Sequence, residues 1–235
     1  MAVEVYLDLM SQPCRAVHIL LDCTRIPHKL VLNPLCAGEN RTPDFAKLNP
    51  MYHDAILKYL ASRADVPQHW YPRQPERRAR VDEYTAWHHS NTRPHAAKVF
   101  MLEVSDVDQV LKLQERLIRA LSQLDDTLDK LETMFLRRQP FLCGDDVTVA
   151  DLLAVCELMQ PLGGGRDVLQ ARPQLRRWRS KVQAAVGDVL DSHTFIGALG
   201  LWTQGHRESA AVSLTGKSSA DASRASFCIL TEWMK

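Results

Sequence analysis

The sequence predicts an α+β N-terminal unit, βαβ plus helices, followed by an all-α helical bundle. Three observations carry this. An alternating apolar run opens the chain, a helix-period segment and a second alternating run follow it, and from Glu76 to about Gly187 every periodic stretch has helical spacing. No further strand is offered after the second one, so the N-terminal unit reads as truncated, because two strands alone are marginal. The expected division is residues 1–65, residues 73–200 and a divergent, poorly ordered tail over 201–235.

Val3 to Leu9 alternates as a strand, and Pro13 to about Thr24 carries the first helix. Ile26-Pro27 breaks the pattern before a second strand at Lys29–Asn33, which completes a unit that normally forms a parallel pair. Asn40 to Leu48 is polar, with Pro43 suited to a first helical turn, and Asn49-Pro50 ends it. Only Met51–Asp54 precede the next helix, Ala55–Leu60. Pro67 and Pro72 bracket His69-Trp70-Tyr71 in a linker with aromatic anchors. Helical stripes then cover Arg78–His89, Val107–Leu136, Val149–Met159 and Gln174–Val186, separated by Gln139-Pro140, Gly144-Asp145 and Gly163–Gly165. Beyond Gly200 the composition turns to Ser, Ala, Thr and Gly.

The 235 residues carry a formal net charge of +1, so the overall field gives no reason to expect nucleic acid or an anionic membrane as a partner. No apolar run approaches the length of a membrane span, and the chain starts directly with strand-like alternation. The six cysteines lack C-x-x-C pairs and regular spacing, which supports neither a zinc cage nor a disulfide framework. A soluble cytoplasmic protein is expected.

Ser11-Gln12-Pro13-Cys14-Arg15 is the corner where the first strand gives way to the first helix. A serine there can cap free amides, Pro13 lacks the amide hydrogen that would go unpaired, and a helix N-terminus favours an anion such as a carboxylate, phosphate or thiolate. Thr148-Val149-Ala150-Asp151 has the spacing of a capping box, a folding device rather than a catalytic aspartate. Adjacent His88 and His89 diverge by about 100° on a helix and have no carboxylate at i+4, so no metal is expected there or at His95. The basic run Arg172–Lys181 reads as a solvated helix face. Cys14 has the inner position of a C-x-x-C motif whose first cysteine is Ser11, and packing is its expected role over redox chemistry.

Several separate stretches resemble the cytosolic glutathione transferases, and the theta class in their wording: Tyr6–Val17, His69–Pro72, Ala79–Tyr84, Trp87-His88, Pro140–Leu142, Val147–Leu152 and Glu157–Pro161. The resemblance runs from about Ala2 to Leu190. It implies a thioredoxin-like N-terminal domain and a helical C-terminal domain in a detoxifying homodimer. The implied reaction transfers glutathione, a co-substrate, to a small electrophile without cofactor or metal. Ser11 is implied as the catalytic donor to the glutathione sulfur, and Gln12, Glu39, Asn40, Ser90 and Arg93 as glutathione-binding, with Asn40 in place of the usual theta histidine. Pro94 is expected to distort the turn after Arg93, and the second substrate's pocket is expected around Arg93 to Met101 and the tail.

The chain departs from that family after Pro50, where Met51–Asp54 replace a Val-Pro turn, two antiparallel strands and a Glu-Ser pair that holds the γ-glutamyl end. Loss of charge-assisted contacts worth about 1.5–3 kcal/mol each predicts weakened glutathione binding. The alternative implied by the departure is a catalytically dead interaction protein, or a splice or gene-model variant, that keeps the bundle. The theta-class C-terminal cover is not recognisable in the tail, where Trp202 or Trp233 is the candidate to replace it and the spacing supports neither.

Overall fold

Strand β1 (Val3–Leu7) pairs in parallel with β2 (His28–Leu32), Val3 opposite His28 and Leu7 opposite Leu32, and helix α1 (Gln12–Thr24) makes the crossover. The computed structural model describes residues 2–32, 54–104 and 110–192. Among these the sheet has the two strands alone, in keeping with a truncated thioredoxin-like unit. β1 ends two residues earlier than its alternation predicts. Asp8 starts a turn instead, its carboxylate accepting from the Met10 amide at 2.8 Å and its carbonyl from the Ser11 amide at 2.9 Å.

The sheet's partner is α1, whose Ala16, Val17, Ile19, Leu20 and Leu21 are buried. Arg25 closes that helix in the left-handed region at φ 53°, returning its amide to the last turn. Helix α2 (Asp54–Ala61) adds Leu57 and Leu60 to the same core. The predicted linker is anchored by its aromatics: Trp70 is buried, its carbonyl accepts from Val149 at 3.0 Å, and the Tyr71 hydroxyl donates to Asp82.

The bundle consists of α3 (Pro75–Ser90), α4 (Thr92–Glu103), α5 (Val110–Lys130), α6 (Val149–Leu158), the short α7 (Gln160–Gly163), α8 (Pro173–Val186) and the short α9 (Val189–Ser192). Two predicted segments differ. The helix expected through Leu136 relaxes into a wide π turn at Leu131–Phe135, with the Leu136 amide returning to Leu131. The stripe expected over Arg78–His89 is a helix to Ser90, and after Asn91, whose φ of −127° and ψ of −80° are not helical, a separate helix that the expected stripes do not include begins. Pro94 therefore lies in the first turn of a new helix, where its missing amide hydrogen costs nothing, and it does not distort an older one.

Helix α6 is the central post, buried along its whole length. The capping box at its start is present as expected. Thr148 Oγ1 accepts from the Ala150 amide at 3.3 Å, and the Asp151 carboxylate reaches back to the Thr148 amide at 2.9 Å. That carboxylate also accepts from the Leu142 amide at 2.9 Å and from the indole of Trp178 at 2.8 Å. One aspartate thus ties the preceding loop, α6 and α8 together, which fits a structural role. Arg172, at the head of the basic run, is engaged by Asp125 and Asp129 of α5, whereas Arg176 and Arg177 are exposed as predicted.

Candidate functional site

Ser11 precedes the first residue of α1 with extended backbone, φ −83° and ψ 124°, where an N-cap belongs. Its carbonyl accepts from the Arg15 amide at 3.0 Å, so the backbone does start the helix. The side chain does not cap it, contrary to the role its position suggests. Ser11 is 4% exposed and its Oγ lacks a hydrogen-bond partner, although it lies near enough to the Cys14 thiol to favour the charged form of that sulfur. Burial outweighs that help and pushes the Cys14 thiol up from its ordinary value. A neutral thiol is a poor nucleophile, which agrees with a packing role for Cys14.

Next to this corner α1 docks on α6 through a buried ionic cluster. Arg15 is fully buried and donates to the carbonyls of Leu9 (3.0 Å), Met10 (3.1 Å) and Cys156 (3.3 Å) and to the Gln160 side chain. Its guanidinium thus fixes the loop before Ser11 to the far domain. Glu157, 1% exposed, receives the Arg93 guanidinium at 3.4 Å and has His88 Nε2 at 3.9 Å. Burial pushes the Glu157 carboxyl up to about 7 despite the pull of Arg93 and Arg15, and burial lowers both arginines. Desolvation therefore exceeds pairing on both sides, leaving a positive local field whenever Glu157 holds its proton.

The structure gathers Ser11, Cys14, Arg15 and Arg93, because Arg93 comes from α4 close enough to feel the Cys14 sulfur. Gln12 is the first residue of α1 and is buried. Ser90 is exposed on the last turn of α3, with its hydroxyl donating to the Trp87 carbonyl at 3.3 Å, and no contact joins it to the Ser11 corner. Glu39, Asn40, the Met51–His53 junction and the tail with Trp202 and Trp233 lie outside the described residues. Sequence reasoning missed Arg15 and missed Glu157 as the partner of Arg93. The available signal was a single charge within the apolar run Val155-Cys156-Glu157-Leu158, which demands a buried counter-charge.

Beside Arg93 runs a groove of about 330 Å³, lined by Arg93, Pro94, Ala97, Lys98, Met101 and Leu102 among others. Arg93, Ala97 and Met101 follow at four-residue steps, so they share one face of α4. This is the stretch where the resemblance leads one to expect the second substrate.

Comparison with known proteins gives concordant results. Residues 90–185 match the family model for the glutathione S-transferase C-terminal domain. The chain is 41% identical over 208 residues to bovine glutathione S-transferase theta-1, covering 81% of this chain and 86% of that protein, and 40% identical to mouse theta-3 at the same coverage. Human glutathione S-transferase T1-1 in its apo form superposes with a TM-score of 0.74 at 37% identity, covering 83% of this chain and 89% of that one. A human theta-class enzyme in complex with the glutathione conjugate of 1-menaphthyl sulfate superposes with a TM-score of 0.75 at 31% identity, covering 98% and 99%.

Proposed function

Because the chain belongs to the theta-class glutathione S-transferases, we propose that Ser11 is the residue through which it carries out the family's transfer of glutathione to an electrophile. The observation that carries this assignment is the Ser11 hydroxyl, which stands at a helix N-terminus without capping the helix. Its proton is not committed to the helix backbone, and its described neighbour is itself a sulfur, that of Cys14. A serine hydroxyl is a far weaker acid than a thiol, so it donates to the thiolate rather than taking its proton.

The donated bond, the amides at the start of α1 and the Arg93 guanidinium all favour thiolate over thiol. The thiolate then attacks an electrophilic carbon. A carbon–sulfur bond forms, the leaving group departs with its electron pair, and the thiol proton has already passed to water. The groove along Arg93, Ala97 and Met101 takes the apolar second substrate, and its mixed lining suits a partner with one polar substituent. A human theta-2 structure in complex with glutathione supports the choice of co-substrate. Gln12, Glu39, Asn40 and Ser90 complete the proposed glutathione contacts.

The reading includes no cofactor, since the co-substrate itself brings the nucleophile. It also includes a cytoplasmic homodimer that disposes of reactive electrophiles; among the described residues no helix is long and apolar enough to cross a membrane. The test is calorimetric titration with glutathione beside conjugation of a reactive haloaromatic. Saturable binding retained in Ser11→Ala with turnover lost supports the assignment. Absence of both binding and conjugation in the unaltered protein refutes it and leaves the interaction protein as the reading.

A further inference from the structure

Away from the Ser11 corner, α1 and β2 bring together two imidazoles and a carboxylate. His18 and Asp22 are one turn apart on α1 with Nδ1 and Oδ2 separated by 3.8 Å, and His28, the first residue of β2, places Nε2 3.7 Å from the other Asp22 oxygen. The two imidazole rings meet edge to face with centroids 5.5 Å apart. One donor atom from each of the three residues lies within 4.8 Å of the other two. The side chains are 15%, 32% and 16% exposed, so the cluster is held by the fold yet open to solvent on one side.

The tautomer of His28 gives this arrangement its chemical meaning. Its Nδ1 lies 2.9 Å from the Ile26 carbonyl. A carbonyl only accepts, so Nδ1 carries the hydrogen, and in the neutral ring Nε2 presents a lone pair to Asp22. In that neutral form the lone pair faces a carboxylate oxygen at 3.7 Å with no hydrogen bond between them. A cation between them satisfies both. The backbone carbonyl behind His28 is the second-shell partner that ligating histidines commonly have, and it holds the ring in place before any ion arrives.

We propose that His18, Asp22 and His28 form a binding site for a late first-row divalent cation, with zinc as the best fit. Two imidazoles and one carboxylate are the donor set zinc accepts, whereas magnesium and calcium prefer oxygen throughout. Tetrahedral zinc with bonds of about 2.0–2.1 Å holds its ligand atoms about 3.3 Å apart. The histidines stand 3.8 and 3.7 Å from different oxygens of Asp22, and with one donor atom per residue all three lie within 4.8 Å, so the set has to draw in by up to about 1.5 Å, which side-chain rotation of the histidines and Asp22 supplies. The open side leaves the fourth position to water. His18 is seven residues from Ser11, roughly 10 Å along α1, so the ion stays clear of the thiolate corner. Its effect is to brace the turn at Arg25 that joins the end of α1 to the start of β2.

The test titrates the full chain, free of glutathione and chelators, with Zn²⁺ by calorimetry and with Co²⁺ by visible absorption. The expected result is one saturable site per chain, a higher melting temperature with Zn²⁺, and Co²⁺ bands of nitrogen and oxygen ligation without thiolate charge transfer. Asp22→Asn and His28→Gln should each weaken binding by about ten-fold or more, while His89→Gln, near an unrelated aspartate, leaves it unchanged. In case either variant unfolds, amide NMR on the unaltered protein should show Zn²⁺ shifting resonances around residues 18–28. A thiolate charge-transfer band, shifts confined elsewhere, binding indifferent to both variants, or no binding overturns the proposal.

Discussion

Replacing Glu157 by Gln removes a buried carboxyl that burial drives up to about 7, and its consequence is a change in how stability depends on pH. Below about 4.5, the ordinary glutamate value, folded and unfolded chains both hold the proton and the residue adds no pH dependence. Between 4.5 and 7 the unfolded chain releases the proton and the folded chain keeps it, so stability falls as pH rises. Above 7 both are ionised and the loss is complete. At about 1.4 kcal/mol per pH unit, the gap amounts to roughly 3 kcal/mol. The assay is urea unfolding of the unaltered protein and Glu157→Gln at a series of pH values from 4.5 to 8.5. The difference between the two isolates residue 157, because all other groups cancel. It should fall by roughly 3 kcal/mol in disfavour of the unaltered protein across that window and then level off. A difference that is flat, or that rises with pH, refutes the reasoning; a rise would mean that Arg93 and Arg15 outweigh burial.

Three further outcomes follow from the same packing. Asp151→Ala strands the amides of Leu142 and Thr148 and the indole of Trp178; at about 1–3 kcal/mol for each buried donor, urea unfolding should show a loss of roughly 4 kcal/mol or more. Arg15→Met leaves the carbonyls of Leu9, Met10 and Cys156 without their donor and removes one of the two cations that favour ionised Glu157, the other being Arg93; the melting temperature should drop, and the pH at which Glu157 titrates should move up. Cys14→Ser should leave any thiol–disulfide exchange rate unchanged, since burial holds that thiol neutral, and a lost rate in that assay would restore the redox reading.

Local features were legible in the sequence, and features that depend on distant partners were not. The βαβ start and the stripes of α5, α6 and α8 repeat an apolar residue every turn or every second residue, which exposes them in any short window. The capping box needs only a threonine and an acid three residues apart, so it was read correctly. The stripe Arg78–His89 ends within one residue of the observed helix, but α4 as a separate helix from Thr92 was not legible. Helix-compatible residues flank Asn91 on both sides, and the turn is set by how α4 packs on α5 and α7. The Ser11 corner was readable as an anion site, yet the freedom of its hydroxyl was not, because capping is decided by side-chain rotation. Arg15 and Gln160 are 145 positions apart, and only the docking of α1 on α6 and α7 joins them. The pairing of His18 and Asp22 is visible as i, i+4 spacing, but His28 joins them only once β2 is laid parallel to β1.

The assignment of Ser11 as thiolate stabiliser is tested most directly by measuring the ionisation of bound glutathione in the unaltered protein and in Ser11→Ala. The thiolate absorbs in the ultraviolet and the thiol does not, so titrating the complex with base reports the sulfur directly. A hydrogen bond to a charged sulfur is worth about 1.5–3 kcal/mol, which corresponds to one or two pH units. The expected result is a bound thiol titrating well below free glutathione in the unaltered protein and higher by that amount in Ser11→Ala, with turnover at neutral pH lower by about ten- to a hundred-fold. Equal titration in both proteins, with glutathione bound in each, would contradict it.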